Sequence, residues 1–478
     1  MPNNADAATA ARLLATLLRA PPAATPSKRV HSGKRGVSAA FLHAFCDFFA
    51  EHGGGTAFEM ATVCKGEGLV ASIVKLTAST GLSLVESCML VADRDEIDTG
   101  GLFGHADAFF SYPWEGTRLG HARHAVARAA AKMDQQDGSP ARFWIDIFCA
   151  PQAMHSSLED MEGIYGGAVQ ATHTLVFYAS PLLDEWTAPR QRFLSAEREA
   201  CGSTPSPWVR SGPHSTTRAW CLLELAEAVH GKRNVMIALN PAEEDDLGRI
   251  LTRDIEKVAA MVGEIDTLDL QLSKVEDRHF ILGRVENLPE GYTSLYKLAT
   301  LALRDWLAAS GRVALEAAEV QAARSMALED LKAMWGLQIG LAKLLQILGR
   351  YEEAEDLFWR TLRGREVRLG ASHGSTLTVV STLAGLLRAQ GKYDASEPLY
   401  RRALHGYEAE LGTSHPHTLV SVNNLAMFVF WRGRPMEAIA LKLRRSQLDG
   451  VLLGMCLYLL LPLLTAIVLY DRLSTWIA

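Results

Sequence analysis

The sequence predicts an α/β domain with a doubly wound parallel sheet, followed by an all-α helical solenoid and a C-terminal transmembrane helix. Three observations lead to this prediction. Short apolar runs alternate with helical patterns between residues 102 and 242, as in parallel sheets covered by helices. The last third of the chain repeats itself, with related turns at Gly349, Gly391 and Gly433. Residues 450–470 contain no charged side chain.

The composition is that of a folded protein without a general affinity for nucleic acid. The chain has 478 residues, of which 48% are apolar and 21% are charged, which is enough for two or three packed domains. Lys and Arg number 48 against 54 Asp and Glu, so no global positive field attracts phosphate backbones. The seven cysteines are scattered and never spaced C-x-x-C. This pattern favours reduced thiols over a disulfide framework, and it predicts no metal site.

Changes in composition along the chain predict six regions. They are a disordered basic tail (1–35), a helical lead-in (36–101), an α/β domain (102–291) with an insertion (181–217), connecting helices (292–333), repeats (334–448) and a transmembrane helix (450–470). The tail carries six Lys or Arg side chains and a single acid, Asp6. An organelle transit peptide has this composition. An ordinary basic tail with a short amphipathic helix near residues 8–18 has it too.

The apolar segment 450–470 is long enough to cross a hydrocarbon core of about 30 Å. A buried capping helix is the alternative, but such a helix needs a polar face, which this segment lacks. Lys442, Arg444 and Arg445 precede it, and only Arg472 follows it. The positive-inside rule then predicts a single-pass tail anchor with the N-terminal part in the cytosol.

The repeated segments predict stacked helix hairpins. Apolar residues recur at helical spacing on either side of each Gly-containing turn, and such hairpins bury their faces only against neighbours. The expected pairs are 334–348 with 352–367, 377–390 with 394–409, and 419–432 with 436–448. Because an array needs at least three stacked units, we expect residues 292–340 to supply a further neighbour.

The repeats resemble a known family. The segment TLVSVNNLAMFVFWRGR, with SEPLYRRAL before it, is similar to the tetratricopeptide repeats of kinesin light chains. The resemblance implies a protein or peptide ligand on a concave face lined by the first helix of each pair. Asn423 is the candidate contact to a ligand backbone, with Ser381 and Ile339 at the matching positions. A purely structural array with a solvated Asn423 is the alternative.

Four apolar runs define the predicted parallel sheet, at 106–112, 142–148, 172–180 and 234–239. In open α/β sheets, ligands bind at the carboxyl ends of the strands. The side chains expected at those ends are Ser111, Tyr112, Asp146 and Ser180.

Three segments of this region resemble Toll/interleukin-receptor (TIR) domains, which have a flavodoxin-like fold. They are DAFFSYPWEGTR from Asp107, GGAVQATHTLVFYAS from Gly166 and RAWCLLELAEAV from Arg218. The chain also resembles uncharacterised protist and algal proteins that combine such a domain with kinesin-light-chain-type repeats. Many TIR domains self-associate and many cleave NAD. The resemblance implies that Glu224 is the catalytic carboxylate and that Ser111, Trp114 and Arg118 hold NAD as substrate, with no cofactor.

Two functions from different classes follow. The first is a membrane-anchored protein-protein interaction and signalling protein, in which a TIR-like module self-associates and the repeats bind a peptide. The second is a TIR-type NAD nucleosidase that uses Glu224. The geometry around Glu224 separates them, because an enzyme needs this side chain in an open cleft with Ser111 and Arg118, whereas an interaction module can bury it or hold it in an ion pair.

Overall fold

The protein was analysed as a computed structural model, which describes residues 4–22, 35–51, 73, 77, 82–113, 117–133, 139–150, 165, 167–180, 185–188, 208–211, 214–253 and 277–443. The chain divides into two compact units, Met1–Gly311 and Arg312–Ala478.

The first unit contains the α/β region. Its described strands are β1 (Arg35–Ser38), β2 (Phe103–His105), β3 (Ala108–Ser111), β4 (Arg142–Trp144), β5 (Thr174–Tyr178), β6 (Glu185–Ala188), β7 (Trp208–Ser211) and β8 (Asn234–Ala238). Its described helices are α1 (Asn4–Arg19), α2 (Ala39–Glu51), α3 (Leu84–Arg94), α4 (Leu119–Met133), α5 (Asp146–Cys149), α6 (Gly167–Ala171), α7 (Ala219–His230), α8 (Pro241–Arg253) and α9 (Asp277–Glu286). Helix α10 (Tyr292–Ser325) runs across the boundary between the units.

Six strands form one mixed sheet in the order β2-β1-β4-β3-β5-β8. The four predicted strands are parallel neighbours, since β3 lies between β4 and β5, and β8 pairs with β5. A wholly parallel sheet is wrong, because β1 runs antiparallel to both β4 and β2. The four-residue segment RGVS of β1 is too short to show a strand periodicity, and all of it except Arg35 belongs to the lead-in that was predicted to be helical.

The predicted strand at 142–148 is also too long. Strand β4 ends at Trp144, and Asp146 begins one turn of helix, α5. The Asp146 carboxylate accepts the Ile147 N–H at 2.6 Å, and a carboxylate near a helix start satisfies an otherwise unpaired donor. A continuous apolar run cannot distinguish a buried strand from a buried helical turn.

Aromatic side chains fill the core beside the sheet. The rings of Phe45 and Phe148 lie 4.9 Å apart, and Phe109 stacks on Trp144 at 4.9 Å between centroids. Strands β3 and β5 are buried along their full length, as expected for strands covered on both faces. Each large apolar side chain that is buried contributes about 1.5 to 3 kcal/mol.

The predicted disorder of residues 1–35 is wrong for helix α1. Leu13, Leu14 and Leu17 are at most 1% exposed, and α1 packs against α2 and α3. The Arg94 guanidinium donates to the Ala20 carbonyl at 2.9 Å. A short Ala-rich helix is marginal alone, so its order depends on partners that are distant in sequence. The transit-peptide alternative stays a prediction.

The insertion at 181–217 contains an antiparallel strand pair. Strands β6 and β7 pair from Glu185 with Ser211 to Ala188 with Trp208. Most of the remaining insertion lies outside the described residues.

The second unit is the predicted helical solenoid. After α10 come α11 (Leu328–Ile347), α12 (Tyr351–Leu369), α13 (Gly374–Ala389), α14 (Tyr393–Leu411), α15 (Pro416–Trp431) and α16 (Pro435–Leu443). These helices confirm the three predicted pairs. The turn residues Gly349, Gly391 and Gly433 have φ of 74°, 77° and 77°, a region that glycine enters without steric cost. The repeated glycines therefore mark the end of each first helix.

Helix α10 supplies the expected neighbour for the first pair. Arg312 pairs with Glu353 at 2.7 Å, and Arg360 pairs with Glu319 at 2.5 Å. Between later pairs, the contacts Lys392–Glu355 and Arg434–Glu397 occupy matching positions of the repeat. The array is thus held by a buried apolar stack and by ion pairs between successive hairpins.

Within the described ranges, the helices are too short or too polar to span a bilayer. The predicted transmembrane segment 450–470 lies outside those ranges.

Candidate functional site

The candidate site lies where the parallel strands end. Counted along the chain, the four parallel strands are ordered second, first, third, fourth, as in flavodoxin-like sheets, whose ligands bind between the first and third strands. Strands β3 and β5 are that pair here. Ser111 ends β3, and Ser180 follows β5.

Ser111 and Glu224 meet at this position. The Ser111 hydroxyl donates to Glu224 Oε2 at 2.5 Å. Helix α7 brings the carboxyl group there because it packs on β3, β5 and β8, with the apolar side chains of Leu222 and Leu225 buried. The predicted closeness of Ser111 and Glu224 is therefore present, while their catalytic and NAD-binding roles stay predictions.

The environment of Glu224 favours its protonated form. The pKa of Glu224 is raised to about 8, chiefly by burial; the Ser111 hydrogen bond acts to lower it, and the negative charges of Asp146 and Glu227 contribute to the rise. Part of the side chain stays accessible to solvent. At neutral pH the group is mainly a carboxylic acid, able to donate a proton.

Asp146 is held in the opposite way. The Tyr112 hydroxyl donates to Asp146 Oδ1 at 2.5 Å, and the Ile147 N–H donates to the same oxygen at 2.6 Å. Donors directed at a carboxylate favour its ionised form. Burial, then the charge of Asp146, raises the pKa of Tyr112 well above its ordinary value, so its hydroxyl remains a donor.

Aromatic rings form the side of the site near α9. The Tyr165 ring lies 5.3 Å from Trp144 and 5.4 Å from Trp220. Burial raises the pKa of Tyr165, and Asp146, Glu224 and Asp277 raise it further, which places its hydroxyl among three carboxyl groups. The Trp220 N–H donates to Asp277 at 2.9 Å.

An ion pair fixes α7 against α9. The Arg284 guanidinium binds both carboxylate oxygens of Glu227, at 2.6 and 2.8 Å. Both side chains are largely buried. This bidentate geometry positions the turn of α7 that carries Glu224.

Arg118 and Trp114 are not brought to Glu224 by the described contacts. Arg118 is exposed, and its charge acts instead on His121, whose pKa is lowered first by burial and then by Arg118. Trp114 lies outside the described residues. Of the predicted NAD-binding residues, only Ser111 has a described contact with Glu224.

Ser180 also donates its hydroxyl to a glutamate, as Ser111 does, but this pair has a structural role. Its hydroxyl donates to Glu243 at 2.5 Å and accepts the Asn240 N–H at 2.7 Å. Asn240 also accepts the Glu243 N–H at 2.9 Å, so these groups cap the start of α8. Among the described residues, no group of three potential ligands could hold a metal ion.

Sequence reasoning missed Tyr165, Asp277 and the Glu227–Arg284 pair. These residues follow no motif. Tyr165 and Asp277 also come from separate segments, and only the packing of α7 and α9 unites them. Asp146 and Tyr112 could be found, because each lies at the end of a predicted strand.

In the repeats, Asn423 lies in an exposed stripe of α15. Val420, Met427 and Phe430 on the same side of the helix are 54%, 51% and 43% exposed. Asn423 is half-buried. The next residue, Asn424, donates to Ser381 at 3.5 Å, which is at the long limit for a hydrogen bond. The peptide-binding role of Asn423 stays a prediction.

Comparison with known proteins identifies the class of the second unit. The tetratricopeptide repeat family profile matches residues 334–409. Residues 334–409 therefore carry tetratricopeptide repeats, and such repeats indicate a role in protein–protein interaction. The resemblance to TIR domains is not shown by the comparisons and stays a prediction.

Particular solved structures are similar to part of this chain. BtubC (BKLC) from P. vanneervenii is 18% identical, over 50% of this chain and 93% of that chain, with a TM-score of 0.27. TPR-like repeats assigned to a kinesin light chain of Podosopora anserina are 18% identical, over 44% of this chain and 97% of that chain, with a TM-score of 0.28. A single-substitution variant of those repeats is 17% identical, over 43% of this chain and 92% of that chain, with a TM-score of 0.28. No curated protein matches the chain. These low scores carry no functional argument.

Proposed function

We propose that the protein binds a peptide segment of a partner protein through the first helices of its repeats, α11, α13 and α15. The observation that supports this is the stripe around Asn423, where three large apolar side chains remain exposed on α15. Apolar contacts give affinity, and a side-chain amide can bond to a peptide backbone with both its donor and its acceptor.

A displayed library of random peptides, selected on the full chain, tests this proposal. The selected peptides are then synthesised, and their affinity is measured by fluorescence anisotropy. Asn423→Ala should weaken peptide binding about 10-fold, because the loss of its hydrogen bonds costs roughly 1.4 kcal/mol of binding free energy. Asn424→Ala is the matched control and should leave binding nearly unchanged. Selected peptides that bind equally well to Asn423→Ala would contradict the placement of the site.

We also propose that the α/β domain cleaves an N-ribosidic bond, with NAD as the substrate implied by the family resemblance. The contact between Ser111 and Glu224 supports this second function, since it places a carboxyl group and a hydroxyl at the end of β3. A sugar cation that develops during bond cleavage is stabilised by a nearby carboxylate.

Loss of NAD from a solution of the full chain tests this activity. Glu224→Gln should abolish it. Glu243→Gln is a matched control, because Glu243 also accepts a serine hydroxyl at 2.5 Å but caps a helix. Equal activity of wild type and Glu224→Gln would reject Glu224 as the catalytic group.

The membrane anchor, with the N-terminal part in the cytosol, belongs to the same proposal. The uncharged run 450–470 and the basic residues before it support this placement. Self-association through the α/β domain would then be favoured, because tethering raises the local concentration of the chain.

A further inference from the structure

We propose that Glu224 acts as a general acid beside an ionised Asp146, so that the site cleaves ribosides of neutral bases such as purine nucleosides. This inference rests on the proposed cleavage of N-ribosides. It changes the expected substrate class, since NAD carries a base that is already cationic.

The first step is the orientation of the Glu224 carboxyl group. Ser111 donates to Oε2 at 2.5 Å, which occupies that oxygen as an acceptor. Within the described part of the chain, Oε1 has no hydrogen-bond partner. Since the side chain keeps an accessible surface, Oε1 is the oxygen that can present a proton to a ligand.

The second step is the contrast with Asp146. Its Oδ1 accepts both the Tyr112 hydroxyl and the Ile147 N–H, so its charge is stabilised where it lies, at the end of the neighbouring strand β4. Two carboxyl groups whose surroundings favour opposite protonation states are the usual arrangement of an acid and a partner base.

The two negative charges that act on the Glu224 carboxyl group act in the same direction. Asp146 faces it from α5, and Glu227 from the next turn of α7, and both raise its pKa after burial has done so. Tyr165 and Cys221 interact with it as well, and burial raises the pKa of both above their ordinary values. Tyr165 and Cys221 therefore stay neutral near pH 7. Two cations lie nearby: Arg284 is bound to Glu227, and the buried Arg218 acts through its charge on Cys221.

The chemistry follows from the leaving group. In a purine riboside the C1′–N bond breaks with its electron pair on the base, and a neutral base then needs a proton. The Glu224 carboxyl group gives its proton to that ring nitrogen. A water oxygen adds to C1′, and the proton that the water loses passes to the Asp146 carboxylate and returns to Glu224 through solvent. The sum is riboside plus water giving free base plus ribose.

NAD lacks this requirement. Nicotinamide leaves as a neutral molecule when its bond to C1′ breaks, so an acid contributes nothing to its departure. A neutral Glu224 also stabilises the developing sugar cation less than a carboxylate does. The site is therefore expected to favour neutral-base ribosides near neutral pH.

The test uses the full chain with inosine, adenosine and NAD in separate reactions from pH 5 to 10, with the released base measured by chromatography. We expect release of hypoxanthine and adenine, with kcat/KM falling above about pH 8. Glu224→Gln should lower this rate by a factor of about 10² to 10⁴, the usual contribution of a general acid. Glu243→Gln should match wild type.

Asp146→Asn provides a second readout, which does not require the Glu224→Gln variant to fold. This variant should be slower, because it lacks the acceptor of the water proton, and in its remaining rate the loss of negative charge should move the falling limb of the pH profile to lower pH. Cleavage of NAD without cleavage of the purine ribosides would overturn the general-acid assignment and leave the proposed function intact. Cleavage of neither substrate would overturn both. Purine release that is insensitive to Glu224→Gln would also overturn the assignment.

Discussion

Replacing Glu224 with Gln should remove a pH dependence of the stability of the α/β domain. The pKa of Glu224 is about 8 in the folded protein, against about 4.3 in an unfolded chain. Between these values the folded state binds the proton and the unfolded state does not. The stabilisation is therefore fully present below about pH 4 and is lost as the pH rises to about 8.

The size of the effect follows from the pKa difference. One pH unit inside this window changes the free energy of unfolding by about 1.4 kcal/mol for one proton. Between pH 6 and 8, wild type should lose at most about 3 kcal/mol through this group. The Glu224→Gln variant cannot titrate at this position, so its free energy of unfolding should fall by correspondingly less over the same pH range.

Urea unfolding of the full chain, followed by tryptophan fluorescence at pH 6, 7 and 8, measures the difference. Trp144 and Trp220 report on this region, because both rings contact Tyr165 beside Glu224. Glu243→Gln controls for the removal of a carboxyl group elsewhere in the same unit. Parallel pH dependences for wild type and Glu224→Gln would refute the conclusion that Glu224 is protonated in the folded state.

Three further predictions concern the fold and the anchor. Gly36→Ala should destabilise the sheet by about 1 to 3 kcal/mol, because an added Cβ would lie 2.8 Å from the backbone of Phe143. The control is Gly248→Ala, which has open space around it and should be neutral or stabilising. Equal melting temperatures for the two variants would reject the β1–β4 pairing. Ala384→Phe should lower the melting temperature of the repeats, since Ala384 is fully buried against Ser396 and Tyr400, and an unchanged melting curve would contradict the stacked arrangement. The full chain should resist carbonate extraction from membranes and a chain without residues 450–470 should not; recovery of the full chain in the supernatant would reject the anchor.

The 42-residue repeat made the solenoid predictable from the sequence. Each hairpin contacts only its neighbours, so the pattern of small and apolar residues within one unit, together with the turn glycines, specifies the local structure. At the ends that the structure describes, the predicted helices differ from the observed ones by one to six residues, for example by six at Leu328 and by one at Tyr351. Helix ends depend on caps and fraying, which periodicity does not reveal.

The α/β domain was predictable only in its central part. Strands β3, β5 and β8 are continuous apolar runs that are separated by helical segments, and this alternation is specific to parallel sheets. The antiparallel edge was not predictable, because β1 and β2 contain only four and three residues. Their pairing depends on neighbours distant in sequence rather than on their own pattern.

The candidate site was likewise predictable from the sequence only in part. The sequence by itself determined that Ser111 and Asp146 lie near the ends of predicted strands, because strand patterns fix those positions; Glu224 followed from the resemblance of the segment RAWCLLELAEAV to TIR domains. Only the tertiary structure decided the protonation of Glu224, since its pKa depends on its burial where α7 packs on the sheet and on the charge of Asp146. It alone also decided that Ser180, at an equivalent strand end, caps α8 instead of joining the site. The physical reason is that desolvation and hydrogen-bond partners are properties of a packed environment, which comes from several segments at once.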